Sequence, residues 1–294
     1  MGISDAPKSQ KSPAPVTISE SSQVSLQVLF AAPFSPSSDE LTRSLRAYDA
    51  SLNAATVSLV DGGEGSALGE ARFGIHAVQI VVFGFPMPKE PLEACVLPAP
   101  FDQETKQQVR AQQAHALLFY RGQSENISEQ YIALALVAGA LCGHGGLAVL
   151  NKNARAALPA RVFTPEMGAS KIEFFDTLPP LYLFAGFVKY EIEGKRGVWM
   201  RTHGLQLWDL PNLATLVESH ARGAEVFDIF SNVIDYMINK GPILCAGHTM
   251  QIGEDIYIKL REPGAEEAKI SDENELLIAD FIRADESNPF VFNL

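Results

Sequence analysis

The sequence predicts an α+β protein built on antiparallel or mixed sheets with helices on one face. Three observations lead there. Apolar, β-rich runs alternate with helix-patterned runs along most of the chain. Short glycine-centred turns join several of the apolar runs as hairpins. The 294 residues are 47% apolar and 20% charged, ordinary globular values that allow a sizeable core.

The elements follow in order. Val24 to Ala31 is apolar and reads as a first strand. Ser38-Asp39-Glu40 then opens a helix to about Leu52, with Ser38 or Asp39 as its N-cap. Thr56 to Asp61 is a short strand, followed by the flexible turn Gly62-Gly63-Glu64-Gly65. Ala67 to Phe73 and His76 to Phe85 are strands joined at Gly74, either as a hairpin or as one bent strand. Lys89 to Val96 and Gln103 to Gln113 have helical patterns, separated by Pro98 and Pro100. Ala114 to Tyr120 is a strand. Ser128 caps a helix running to Cys142 that is apolar on nearly all sides and should be buried. Leu147 to Leu150 is a strand. His76-Ala77 and His115-Ala116 each begin an apolar strand, a weak internal echo that points to a ferredoxin-like N-terminal half.

A second half begins near residue 160. Leu181 to Ile192 reads as a long strand that turns at Glu193-Gly194-Lys195 and returns through Gly197 to Thr202. Pro211 suits the first position of a helix to about His220. Ala224 to Asn239 is the clearest helix, with Val226, Phe230, Val233, Ile234 and Met237 on its core stripe. His248 to Ile252 and Ile256 to Arg261 form a final hairpin around Gly253-Glu254-Asp255. The organisation is therefore a Ser/Pro-rich disordered tail over 1–22, an α+β module over 23–159, a second over 160–262, and an acidic C-terminal segment over 263–294. From Glu262 to the end there are nine acids and two bases, a net of −7. Within it Glu275 to Ile282 is spaced as a short amphipathic segment, and the remainder reads as a solvated tail.

Charge narrows the function classes. With 23 basic and 35 acidic side chains the chain carries −12, so phosphate backbones are repelled and nucleic acid is not an expected partner. The N-terminus has no apolar run after its lysines and no Ser or Thr at position 6, so neither a secretory signal nor a myristoylation pattern is read there. The longest apolar run, Tyr131 to Cys142, is too short to span a bilayer, so no membrane role is expected. Cys95, Cys142 and Cys245 form no C-x-x-C pair and suit a reducing, cytoplasmic compartment.

Candidate chemistry is sparse. Gly143-His144-Gly145-Gly146 follows a helix and precedes a strand, the wrong polarity for a phosphate loop, and reads as a helix C-cap and turn. Asp228, Asn232, Asp235 and Asn239 form one face of a helix, read as a solvent face. No nucleophile elbow, P-loop or dinucleotide fingerprint occurs, so no cofactor or metal is predicted. The strongest polar concentration lies in Trp199-Met200-Arg201-Thr202-His203-Gly204 and in Gly247-His248-Thr249-Met250-Gln251 with Glu254 beyond. If the two hairpins are neighbours, Arg201, His203, His248 and Glu254 converge, and could bind an anion or support acid–base chemistry.

Gly186-Phe187-Val188-Lys189-Tyr190, Arg201-Thr202-His203-Gly204 with Leu210-Pro211-Asn212-Leu213, Phe227-Asp228-Ile229-Phe230-Ser231-Asn232 and Gly247-His248-Thr249-Met250-Gln251 together resemble the bacterial domain-of-unknown-function family 4261. The resemblance covers mainly 160–262. It implies a bacterial, soluble α+β protein and carries no activity or catalytic residues. The leading expectation is a non-catalytic interaction protein, of accessory or immunity type, that binds a basic partner through its acidic surface. The alternative is a small-anion-binding protein or hydrolase-type enzyme with its site near Arg201, His203, His248 and Glu254. A purely structural domain is the third.

Overall fold

The computed structural model describes residues 23–33, 35, 37–164, 170–241, 244–271, 275–283 and 291–293. The tail assigned to 1–22 lies outside them. The fold is α+β, and the described residues form two seven-stranded sheets, one antiparallel and one mixed.

The first sheet holds β1 (Ser25–Phe30), β2 (Thr56–Gly63), β3 (Ser66–Phe73), β4 (His76–Phe83), β5 (Ala114–Tyr120), β6 (Gly146–Asn151) and β7 (Ala156–Pro159), in the order β2-β3-β4-β5-β1-β6-β7. Its helices are α1 (Ser38–Arg46), α2 (Lys89–Val96), α3 (Gln103–Arg110) and α4 (Ile127–Cys142). The chain passes from β1 through α1 to β4 with β5 lying between the two strands. It then passes from β5 through α4 to β6 with β1 between. These interlocked split units, all antiparallel at β4-β5-β1-β6, are the ferredoxin-like arrangement that the His-Ala echo pointed to. The β2–β3 pair extends one edge, and α2 with α3 is inserted between β4 and β5.

Period-two alternation divides the side chains of β1 between the faces. Leu26, Val28 and Phe30 join the core under α1 and α4. Leu29 faces the other way, against Met87, Leu92 and Cys95 at α2. The one-face helix layer therefore describes α1 and α4, and α2 and α3 add a second, partial layer on the opposite face. That layer stops short of β4 and β5, leaving part of the sheet open. α4 starts one residue before the expected cap. The Asn126 side chain accepts from the Ser128 and Glu129 amides, and so takes the cap position predicted for Ser128.

The second sheet holds β8 (Gly186–Tyr190), β9 (Val198–His203), β10 (Asn212–Val217), β11 (Thr249–Gln251), β12 (Ile256–Arg261), β13 (Leu276–Arg283) and β14 (Val291–Asn293). Their order is β14-β11-β12-β13-β10-β9-β8. Of its helices, α5 (Lys171–Thr177) and the single turn α6 (Pro180–Leu183) precede the sheet, and α7 (Gly223–Lys240) crosses from β10 to β11. Val226, Phe230, Val233, Ile234 and Met237 of α7 pack on one face, as predicted. Trp199, Ala214, Ile270, Leu276 and Ile278 form a smaller cluster on the other.

Three expectations are corrected. The long strand over Leu181 to Ile192 is a helical turn followed by the shorter β8, because Pro180 stands at the first helical position after Pro179. The helix expected over Pro211 to His220 is β10, whose Thr215 and Val217 are β-branched and whose flanks are both paired, by β9 and β13. The C-terminal amphipathic segment is β13, parallel to β10 and antiparallel to β12, so it lies at the sheet centre. The solvated tail beyond it falls largely outside the described residues, although residues 291–293 pair with β11 as β14.

The two sheets meet at a buried polar joint. Asn151, at the end of β6, donates from Nδ2 to the Phe184 carbonyl at 2.9 Å and to Tyr131 Oη at 3.2 Å. Tyr131 stacks on Phe184 and on Trp208, with ring centroids 4.8 and 5.5 Å away. Gly186, at the start of β8, lies so close to Ala154 that a Cβ would collide with the Ala154 carbonyl. Glycine is what permits this approach.

Candidate functional site

The part of the first sheet left open by α2 forms the floor of a cleft of about 940 Å³. Its floor strands are β4, β5 and β1, and its walls come from the α2 entry, the β6–β7 turn and the second half at His203 and Gln206.

Strand register sorts the lining into two ends. At one end Phe83, His115 and Leu29 sit side by side on β4, β5 and β1. The Phe83 and His115 rings stack at 4.8 Å and 18°, and Phe85, 54% exposed, stands edge-on to His115 at 5.7 Å. His115 is 4% exposed, and its Nδ1 lies 3.0 Å from the Phe85 carbonyl. Burial pushes its pKa down, partly offset by that hydrogen bond. Met87, Pro88 and Pro91 complete this apolar end.

The other end is cationic. Arg121 follows β5, lies over the Phe119 ring at 5.9 Å and donates to Gln79 at 3.2 Å. Lys152, Asn153 and Arg155 come from the β6–β7 turn, which Asn153 ties to the Gln23 carbonyl at 3.3 Å. Arg155 donates to Tyr190 Oη at 3.0 Å, and Tyr190 Oη lies 2.6 Å from His203 Nε2. This chain of contacts links the two halves across the cleft. No Asp or Glu is among the described residues lining it.

Gln27 lies midway on the floor, one strand pair from each end. It is 4% exposed, and its Oε1 has no hydrogen-bond partner among the described residues. Gln206 Oε1, on the wall, is in the same condition. Two amide side chains that line one cleft thus each bury an oxygen without a donor among the described residues, a costly arrangement in a folded protein.

The four residues chosen from sequence are dispersed. His203 lines the cleft. Arg201 shares its strand but is buried below the 3-10 turn 267–270, where Nη1 donates to the Ile270 carbonyl. His248 directly precedes β11, with its Nε2 3.3 Å from the exposed Cys245 sulfur. Glu254 is an exposed residue of the β11–β12 turn, where its carbonyl accepts from Gln251. β9 and β11 are four strand positions apart, which at about 4.8 Å per strand is ~19 Å. Arg201 and His203 are therefore not brought to His248 and Glu254. Sequence reasoning missed Arg121, Lys152 and Arg155, because Arg121 follows β5 while the other two share the β6–β7 turn further along the chain, and nothing local brings them together. The one available signal was Gln27, a polar residue inside the apolar run Val24 to Ala31.

Two other sequence features behave as expected. Asp228, Asn232, Asp235 and Asn239 are exposed on α7. Gly143 caps α4, with His144 against Ser44 at 3.2 Å. His220, expected at a helix end, instead opens a 3-10 turn after β10 and pairs with Glu191 at 2.8 Å. Among the described residues no group of three or more His, Cys, Asp or Glu side chains gathers as a metal site. No helix among them is long and apolar enough to cross a membrane.

Residues 201–274 match the family model described as Domain of unknown function (DUF4261). The match runs from β9 to just before β13 and includes His203 and Gln206 of the cleft. No curated protein and no solved structure matches the chain.

Proposed function

We propose that this protein binds a small organic anion in the cleft at the joint of its two sheets. One observation carries the reading. A chain of net charge −12 presents Arg121, Lys152 and Arg155, and no carboxylate among the described lining residues, around this cleft. Low-dielectric walls strengthen the field of such a cluster and favour an anion over bulk water. The site keeps His203 from the sequence-based set and replaces the other three members. Calorimetric titration of the full chain with inorganic phosphate and pyrophosphate tests it. Binding should weaken at least about tenfold in an Arg121→Ala/Arg155→Ala variant, since each charge-assisted hydrogen bond is worth roughly 1.5–3 kcal/mol. Absence of binding, or binding indifferent to those two changes, overturns the reading.

A second reading, the non-catalytic interaction protein with a basic partner, has its own support. Val60 and Leu68 face each other across the edge pair β2–β3 and are 73% and 54% exposed. An exposed apolar pair on an acidic protein suits a protein partner. Salt-graded capture with wild type and Val60→Asp/Leu68→Asp tests it. A basic partner held by the first and lost by the second is the expected result, and equal retention by both counts against it. A bacterial cytoplasm is the setting we assign, supported by the family resemblance and by three free cysteines.

A further inference from the structure

We infer that the anion bound in the cleft is of the nucleotide class: a flat heteroaromatic ring and a phosphate joined by a hydroxyl-bearing linker. This rests on the anion-binding reading above and specifies its ligand.

The argument follows the order of groups along the floor. The cationic end lies at the level of Gln23 and Ser25, where Arg121 and the β6–β7 turn come together. The aromatic end lies at the level of Leu29, where Phe83 and His115 stack and Phe85 is exposed. Four residues of strand separate the two levels, about 13 Å at the usual rise. An inorganic anion fills only one end. A plain aromatic acid reaches both, but offers nothing to what lies between.

Between them lies Gln27. Its buried Oε1 requires a donor, and Gln206 Oε1 on the wall requires another. A carboxylate or phosphate oxygen accepts and cannot supply one. A sugar hydroxyl placed between ring and phosphate can, and so can ring or exocyclic N–H groups. The aromatic end supplies flat faces for a base, a contact that tolerates any of the bases because each has a π-face. The cations at the other end supply the charge-assisted donors that phosphate oxygens accept.

The experiment is a competitive binding series on the full chain. The probes are the four ribonucleoside 5′-monophosphates, ribose 5-phosphate, phenyl phosphate and inorganic phosphate. At least one nucleotide should bind about tenfold or more tightly than both ribose 5-phosphate and phenyl phosphate. Phe85→Ala, at an exposed position, should bring that nucleotide down to the level of ribose 5-phosphate and leave inorganic phosphate unchanged. Gln27→Leu should weaken the nucleotide several-fold while raising or preserving the melting temperature of the free protein, because it removes a buried amide without a partner. If ribose 5-phosphate equals every nucleotide, the ring is not recognised and the inference is overturned, with the anion site intact. If phenyl phosphate equals the best nucleotide, the linker donors are not recognised and the inference is likewise overturned. If no phosphate-bearing probe binds, the anion reading itself fails with it.

Discussion

The two sheets have the same number of strands and opposite economies of surface. In the second sheet the central strands β10 and β13 are covered on both faces, by α7 on one side and by the Ile270 cluster on the other. In the first sheet the central strands β1 and β5 are covered fully on one face only, and the opposite face opens into the cleft. The covered sheet buries Asn212 and Thr249, each with one side-chain atom unpartnered among the described residues, away from the cleft. The half-covered sheet carries a polar residue, Gln27, in a place where stability alone would choose an aliphatic one.

The contrast can be broken most forcefully at the joint. Gly186→Ala forces a Cβ into the Ala154 carbonyl, where β8 meets the first half, and should cost about 3 kcal/mol. Denaturant unfolding should show this loss together with weakened anion binding, since Arg155 and His203 reach the cleft from the two sides of that joint. A loss of stability with binding intact would show that the cleft belongs to the first sheet alone.

Protonation sharpens the contrast with a smaller effect. Burial holds His115 and His76, both in the first sheet, below the ordinary histidine range. A group with a depressed folded pKa stays neutral in the native state and takes up its proton on unfolding. Stability from these groups is therefore present above the ordinary value of about 6.5, and is lost as pH falls through it. His115→Gln should remove up to one proton from the uptake linked to unfolding, at most about 1.4 kcal/mol per pH unit between pH 7 and 5. An unchanged slope in urea titrations over that range would remove His115 from the account. The carboxylates held low by their partners, such as Glu93 beside Arg110, act at lower pH and leave this window clear.

The smallest effect concerns thiols. Cys95 and Cys142 are buried in the first half, and burial pushes both up to about 12. Cys245 is exposed in the second half. The native protein should therefore titrate a single thiol with a chromogenic disulfide at mild alkaline pH, and Cys245→Ser should titrate none. Two or more fast thiols would mean that the first core opens readily.

The same contrast explains what was legible in the sequence. In the half-covered sheet, one face packs and one does not, so the strands show alternation and their ends are readable: β5 falls on Ala114–Tyr120 as expected, and α2 on Lys89–Val96. In the covered sheet, alternation vanishes. Leu276-Leu277-Ile278-Ala279 is a continuous apolar run because both faces are buried, and β10, buried at all but one position, follows a proline that equally suits the start of a helix. The cleft was hidden for a different reason. Arg121 meets Lys152 and Arg155, which share one turn, only through strand order, which no local spacing encodes.

The placement of β13 has a further consequence, in the order of assembly. Every strand of the first sheet lies between residues 25 and 159, so that sheet can pair while later residues are still being synthesised. The second sheet cannot. Its middle strand begins at Leu276, 59 positions after the parallel neighbour β10 ends at Val217, with a helix and a hairpin between them. Until that strand emerges, β10 and β12 each expose an unpaired edge. The second half should therefore fold late and as a unit, and a nascent chain halted before residue 276 should be prone to aggregation while its first sheet is already formed.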